Sequence, residues 1–250
     1  MALALAEQGA LVTGAASGIG RAIALHLADL GANVVVNHKP GEDAEAAEEV
    51  AAEIRRFGRR AIALAADVTR RDQVRAMVAA AERELGPVTI LVNNVGGLIE
   101  RRPFEDFDDE LWQAIMDLNL KSAYLCAQAV LPGMRDRGDG CIVNISSIAA
   151  ETGAPGGSTL YAAAKGGMNT LTIGLAQELA GTGIRVNAVA PGLIDTPFHE
   201  GAERSLPQRI SAIPMGRLGE AAEVARVVGF LVSERASYVT GQIVTVAGGR

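Results

Sequence analysis

Short apolar runs alternate along this chain with stretches whose apolar positions recur every three or four residues. The runs are Ala10 to Thr13, Asn33 to Lys39 with its stop at Pro40, Ala61 to Ala65, Val88 to Val92, Cys141 to Ile145, Ile184 to Ala190 and Ile243 to Val246. Their length and aliphatic content predict strands buried on both faces. A helical pattern appears in Ile23, Leu25, Leu27 and Leu30, and helical spacing again in Ala47, Val50, Ala51 and Ile54 within 42–57. Thr69-Arg70-Arg71-Asp72 reads as a capping box opening a helix that runs to Leu85, with Gly86-Pro87 as its stop. A long helix is predicted from Asp108 through Met134, with Leu111, Ile115, Leu118, Leu125 and Val130 on its apolar side. Further helices are predicted from Tyr161 to 180 and from Glu220 to Leu231. Strand and helix in regular alternation predict the α/β class, with a doubly wound parallel sheet.

Composition narrows this to one domain spanning 1–250: 49% hydrophobic content supplies a large core, and no linker or composition break divides the chain. A net charge of −6 without a basic run offers no electrostatic footprint to nucleic acid or an anionic membrane, and Arg101-Arg102 is read as solvated surface. No apolar run reaches spanning length, and the N-terminus lacks a basic leader pattern, so a cytoplasmic location is expected. Cys126 and Cys141 have no metal spacing and read as buried thiols, with no metal site expected.

Chemistry enters at the turns. Gly14-Ala15-Ala16-Ser17-Gly18-Ile19-Gly20 sits between a strand and a helix, where glycines admit a close ligand and the helix N-terminus offers free N–H groups to a pyrophosphate. The second strand ends in Asn37-His38-Lys39, with no acid before Glu42 to hold a ribose 2′-hydroxyl. That favours NADP(H) over NAD(H), with Lys39 as the phosphate partner and Ser17 and Arg21 as helpers. Tyr161 and Lys165, four apart on a helix, share a face and place a proton donor beside a cation. Asn119 is a polar residue amid apolar helix, and Ser146-Ser147 follow the fifth strand at the sheet edge where open α/β folds bind ligands. Residues around 193–215 read as a substrate flap with apolar residues on it.

Thr13-Gly14-Ala15-Ala16-Ser17-Gly18-Ile19-Gly20, Asp67-Val68, Asn93-Asn94-Val95-Gly96, Asn119, Ser147, Tyr161 with Lys165, and Pro191-Gly192 together resemble the short-chain dehydrogenase/reductase family. The resemblance covers almost the whole chain, and Val95 stands where the family most often has alanine. It implies a single-domain Rossmann fold with a seven-stranded parallel sheet flanked by helices on both faces. It implies an NAD(P)-dependent oxidoreductase that interconverts a carbonyl and a secondary alcohol by hydride transfer. By the same resemblance Gly14, Ser17, Gly18, Ile19 and Gly20 line the dinucleotide and Asp67 and Val68 contact adenine. Asn93 supports the ribose and the sheet, and Thr196 binds the carboxamide. His38, Lys39, Val95, Gly96, Pro191, Gly192 and Ile194 complete the cofactor's surroundings. Tyr161 is the implied general acid/base, and Lys165 lowers its pKa and binds the nicotinamide ribose. Asn119 holds a water linking Lys165 to solvent, and Ser147 is preferred to Ser146 as donor to the substrate oxygen.

The family members similar in general pattern are 3-oxoacyl-carrier-protein reductases and sugar or polyol dehydrogenases. Gly97 to Pro103 lacks the Ile-Thr-Arg-Asp continuation of the carrier-protein reductases. Ile148, Gly156, Gly157, Leu193, Phe198, Ile213 and Met215 are expected to line the pocket, which places a hydrophobic ketone or acyl substrate ahead of a sugar. A homotetramer is implied, formed through the helices at 108–134 and 161–180 and the last strand. Two other classes compete. A serine hydrolase lacks its G-x-S-x-G elbow here, and His26, His38 and His199 have no place as its base. A non-catalytic dinucleotide sensor would not need Asn119, Ser147, Tyr161 and Lys165 together.

Overall fold

The computed structural model describes residues 4–196 and 206–250, with only the backbone given at 206 and 207. Strand β1 (Gly9–Val12) leads through α1 (Gly18–Asp29) to β2 (Asn33–His38), and α2 (Ala44–Arg56) carries the chain to β3 (Ala61–Ala65). Helix α3 (Arg71–Leu85) then crosses back to β4 (Val88–Asn93) beside β1. The chain continues through α4 (Asp109–Met116), α5 (Ser122–Arg137), β5 (Gly140–Ile145), the short α6 (Ala149–Thr152), α7 (Thr159–Leu179) and β6 (Ile184–Pro191). A two-stranded pair, β7 (Ile194–Asp195) with β8 (Gly219–Glu220), brackets α8 (Leu206–Ser211), and α9 (Ala221–Val232) leads to β9 (Ile243–Val246).

Seven strands form one parallel sheet in the order β3-β2-β1-β4-β5-β6-β9. The order reverses between β1 and β4, so their C-terminal ends diverge and leave a crevice, the place where such sheets bind ligands. Strands β1, β2, β4 and β5 have little exposed side chain on either face, as their unbroken apolar runs require. Two cores result. Ile23, Leu27, Val50, Ile54, Val224 and Val228 pack on one face, and Val74, Met77, Leu85, Leu125, Met134 and Leu179 on the other.

Two local expectations give way. The capping box at 69–72 does not form: Thr69 turns back on Asp67, its N–H and hydroxyl both donating to Asp67 Oδ1 (2.9 and 2.7 Å), and α3 begins at Arg71 without a side-chain cap. The helix expected from Asp108 through Met134 starts as predicted, with the Asp108 carboxylate accepting the Leu111 N–H at 2.7 Å. It is then interrupted by a π-helical turn, Asp117–Lys121, before α5 resumes. The extra residue in that turn frees the Ile115 carbonyl, which Asn119 Nδ2 meets at 3.0 Å. Asn119 is therefore fully buried with its polar atoms partnered.

Candidate active site

A cleft of about 1130 Å³ opens at the crevice between β1 and β4. Its floor is the glycine turn. Gly14 and Gly18 have positive φ (59° and 53°), a conformation that side chains with a Cβ resist. Gly20 does not line the cleft; a Cβ there would sit 2.2 Å from the Gly14 carbonyl oxygen, so it lets α1 start against the turn. Ser17 occupies the N-cap of α1 with no side-chain cap bond, which leaves its hydroxyl to the cleft. Sequence reasoning did not give Thr13 or Asn94 the part that they play. Asn94 Nδ2 donates to the carbonyls of Thr13 and Gly14 (both 3.0 Å), and Thr13 Oγ1 accepts the N–H groups of Asn94 (2.9 Å) and Val95 (3.2 Å). Which residue of the Asn93-Asn94 pair faces the turn depends on the strand's pleat, visible only in register with β1.

Beyond the turn, His38, Lys39, Asp67 and Val68 line one end of the cleft. Asn37 is committed to the fold, its Nδ2 donating to the carbonyls of His38, Leu64 and Ala66. The Lys39 ammonium sits 2.8 Å from Glu42 Oε1, and that hydrogen bond raises its pKa. Burial pushes the Asp67 carboxyl up, but the hydrogen bonds from Thr69 outweigh this and hold it below its ordinary value. Arg21, expected as a helper here, does not line the cleft: it turns to α2 and pairs with Glu53 at 2.6 Å. Asn93 also lies outside the lining. Its Nδ2 donates to Asn144 Oδ1 (2.8 Å), and Asn144 donates on to Thr172 (2.9 Å), tying β4 and β5 to α7.

Four further residues meet where β4, β5 and α7 approach one another. Lys165 is only 2% exposed, and its ammonium donates to the Ile145 carbonyl at 2.8 Å. Tyr161, one turn earlier on α7, places its ring centroid 5.8 Å from that nitrogen. Ser147 accepts the Ala149 N–H on Oγ at 3.1 Å, so its own proton is left to donate, and it lies close enough to the Tyr161 phenol to oppose the rise in that group's pKa. Ser146 points elsewhere, donating to Asn169 Oδ1 at 2.6 Å. Asn119 reaches the same spot from below: it exchanges hydrogen bonds with Gly97 (2.8 and 2.9 Å), and a Cβ on Gly96 would lie 2.8 Å from both Asn119 Oδ1 and Lys165 Nζ. Gly96 is thus the spacer that lets both groups approach. Val95, Pro191, Gly192, Ile194 and Thr196 line the cleft nearby, with Thr196 3.7 Å from where a Gly18 side chain would begin.

The electrostatics differ from the sequence expectation in one respect. The phenol of Tyr161 lies above its ordinary pKa because burial disfavours the anion, an effect that the Ser147 hydrogen bond only partly opposes. Burial also draws Lys165 down to about 7, so a cation beside Tyr161 is not assured near neutral pH. In the chain alone the phenol is therefore held protonated, as a proton donor requires.

Comparison with known proteins agrees with this geometry. Residues 14–250 match the family model described as Enoyl-(Acyl carrier protein) reductase. The chain belongs to the short-chain dehydrogenase/reductase family. It is 42% identical over 250 residues to cis-4-hydroxycyclohexanecarboxylate dehydrogenase of Sinomonas cyclohexanicum, an alignment covering 100% of this chain and 98% of the relative. It is 41% identical to a 3-oxoacyl-[acyl-carrier-protein] reductase of Staphylococcus epidermidis, over 97% of this chain and 98% of the relative. A crystal structure from Sinorhizobium meliloti 1021, described as a candidate short-chain alcohol dehydrogenase, superposes with a TM-score of 0.93 at 39% identity, covering 100% of this chain and 98% of that one.

The chain is thus a Rossmann-fold oxidoreductase of this family, whose members use NAD(P)(H) on alcohol and ketone substrates. The residues present fit such a dinucleotide: the glycine turn lets a phosphate close, and the cleft is continuous from Lys39 and Asp67 to Tyr161 and Ser147. A hydrolase base is not in evidence among the described residues, since His26 packs against Gly229 of α9 and His38 Nδ1 is within 3.0 Å of the carbonyl oxygens of Lys39 and Glu42. His199 lies outside the described residues. No described helix is long and apolar enough to cross a membrane.

On the substrate side of this short-chain dehydrogenase, Ile148 and Leu193 line the cleft as expected, while Gly156 and Gly157 do not. The Gly157 carbonyl instead accepts the Arg102 N–H at 3.3 Å. Ile213 and Met215 border a separate hollow behind Leu193 and Ile194, and Phe198 lies outside the described residues. The pair Arg101-Arg102 is not plain solvated surface: Arg102 clamps Glu100 (2.7 Å) and Asp108 (2.8 Å), whereas Arg101 lines the cleft with Arg209 and Arg250. No spacing rule brings those three arginines together; only the fold does.

The lowered pKa of Lys165 predicts how stability depends on pH. Between about 7 and 10.5 the unfolded chain holds a proton that the folded chain has released, so this residue's contribution to stability rises with pH across that window. Urea denaturation of wild type and Lys165→Met should show the wild type gaining on the variant as pH increases. A difference independent of pH contradicts the shift.

Proposed function

We propose that this chain reduces a hydrophobic ketone or 3-oxoacyl substrate to the secondary alcohol, and reverses the reaction, taking NADP(H) in preference to NAD(H). The observation that carries the reaction is the convergence of Tyr161, Ser147 and Lys165 at one end of a cleft floored by the glycine turn. When bound, the nicotinamide supplies hydride to the reacting carbon or takes it away. Ser147 donates a hydrogen bond to the substrate oxygen as negative charge grows there, and Tyr161 hands it the proton. Lys165 borders Tyr161 from below and fixes the nicotinamide ribose. Asn119 is a positioning residue: it holds Gly97 over Lys165, and the second lone pair of its Oδ1 is the acceptor left for a water that returns the proton to Tyr161 through Lys165.

The relatives do not choose the substrate, since a hydroxycyclohexanecarboxylate dehydrogenase and a 3-oxoacyl reductase are similar to within one percentage point of identity, 42% and 41%. Leu98, Leu118, Ile148 and Leu193 in the cleft wall support a hydrophobic substrate over a sugar or polyol. A substrate flap around 193–215 is proposed: of its described residues Leu193, Gln208 and Ala212 reach the cleft, and 197–205 lie outside the described residues.

For the cofactor, β2 ends without an acid, and Lys39 stands at the edge of the cleft. Its present partner Glu42 must give way to a 2′-phosphate, which is the stronger hydrogen-bond acceptor. Lys39→Ala should lower kcat/KM for NADPH about tenfold and leave NADH nearly unchanged. A wild type that works better with NADH overturns the preference. A cytoplasmic homotetramer is also proposed: Trp112, Tyr124 and Ile173, on α4, α5 and α7, are large apolar residues left exposed in the single chain. A monomeric mass by light scattering contradicts it.

A further inference from the structure

Three segments distant in sequence meet at the substrate side of the cleft, and each brings an arginine. Arg101 comes from the loop between β4 and α4, Arg209 from α8 and Arg250 from the tail after β9. The Arg102 N–H bonds the Gly157 carbonyl, and Arg101 Nη1 donates to Ser158 Oγ, three residues before Tyr161. The tail is seated against the segment after α8 by the Met215 N–H donating to Gly248 O (3.1 Å) and by Gly249 lying against Pro214.

Gathering like charges costs free energy unless something neutralises them. Several other arginines of this chain meet acids, Arg21 with Glu53, Arg55 with Glu48, Arg102 with Glu100 and Asp108, Arg217 with Glu223, and Arg60, Arg137 and Arg185 spend their donors on backbone carbonyls. Among the described residues no ion pair includes Arg101, Arg209 or Arg250. Burial, followed by the positive charges of Arg101 and Arg250, draws the Arg209 guanidinium below its ordinary pKa, so the three feel one another. The acids in the cleft wall, Glu42, Asp43 and Asp67, cluster with Lys39 at the other end.

We propose that Arg101, Arg209 and Arg250 form an anion subsite for a carboxylate on the substrate, making the substrate a ketone or secondary alcohol with a carboxylate remote from the reacting carbon. This rests on the reaction proposed above and adds the substrate's charge. A planar guanidinium matches a carboxylate with two parallel N–H donors. Apolar Leu98, Leu118, Ile148 and Leu193 suit the hydrocarbon between the carboxylate and the carbonyl. The charge then fixes which end of the substrate faces Tyr161.

The test is calorimetric titration of 4-oxocyclohexanecarboxylate and its neutral isostere 4-oxocyclohexanecarboxamide into the chain saturated with NADP⁺, where the ketone cannot turn over. The carboxylate is expected to bind at least about tenfold more tightly, and Arg209→Gln and Arg101→Gln to bring the ratio towards one. The carboxamide's affinity, which reports an intact pocket, should move less than about twofold. Equal binding of the two ligands by wild type overturns the proposal, as does a preference that survives both substitutions. A loss of NADP⁺ affinity with the preference intact assigns the arginines to the cofactor's phosphates and overturns it as well. Turnover with NADPH is read separately: selective binding of the carboxylate with no reduction contradicts the reaction and leaves the subsite standing, and reduction without selectivity does the reverse.

Discussion

Tyr161→Phe is expected to lower kcat/KM for ketone reduction about a thousandfold and to leave the Kd for NADP(H) within about twofold. The substitution removes one oxygen and keeps the ring, whose centroid lies 5.8 Å from Lys165 Nζ. The half-buried packing of α7 against α4 is retained, and so is the Lys165 bond to Ile145. What is lost is the proposed proton donor. In the chain alone burial holds the phenol above its ordinary pKa, so the acid is loaded before substrate arrives. Steady-state kinetics on the purified variant, with cofactor binding followed by nicotinamide fluorescence, separates the two effects. A rate near that of wild type removes Tyr161 from the proton transfer.

The second large effect distinguishes two adjacent serines. Ser147→Ala should cost about a hundredfold in kcat, the magnitude of losing one donor to a developing oxyanion. Ser146→Ala should change kcat little and lower stability by about 1 kcal/mol, because the Ser146 hydroxyl is spent on Asn169 Oδ1 at 2.6 Å inside the fold. Paired kinetics and urea denaturation of the two variants check this. The opposite assignment of the two effects would show that Ser146 turns into the cleft in solution.

The parts of this protein most legible in its sequence are those fixed by local rules. Buried parallel strands must be apolar on both faces, so Asn33 to His38 and Val88 to Val92 announce themselves, and the glycine turn is readable because glycine adopts φ near 59°, as at Gly14, with the least strain. The π turn at Asn119 was not readable. An apolar period spanning 108–134 looks like one helix, and the inserted residue shows only when the Ile115 carbonyl is seen bonded to Asn119. The capping motif at 69–72 failed for a related reason: Thr69 had a nearer partner in Asp67 than in its own helix. Arg21 likewise spent its charge on Glu53 before any phosphate could claim it. The arginines at 101, 209 and 250 lie beyond any local rule, because their meeting depends on a loop, a helix and the chain's tail coming together at one cleft.

Hydride transfer in this cleft, between a nicotinamide dinucleotide and a carbonyl with the proton from Tyr161, leaves a directly measurable stoichiometry. Its most direct test follows the absorbance of NADPH while wild type and Tyr161→Phe, each shown to bind the cofactor, are offered a panel of hydrophobic ketones, and measures the alcohol formed. Wild type is expected to consume NADPH and form alcohol in equal amounts, and Tyr161→Phe to do neither at a comparable rate. Tight NADPH binding by wild type with no consumption on any ketone, and no NADP⁺ reduction on the matching alcohols, would contradict it and leave a dinucleotide sensor in its place.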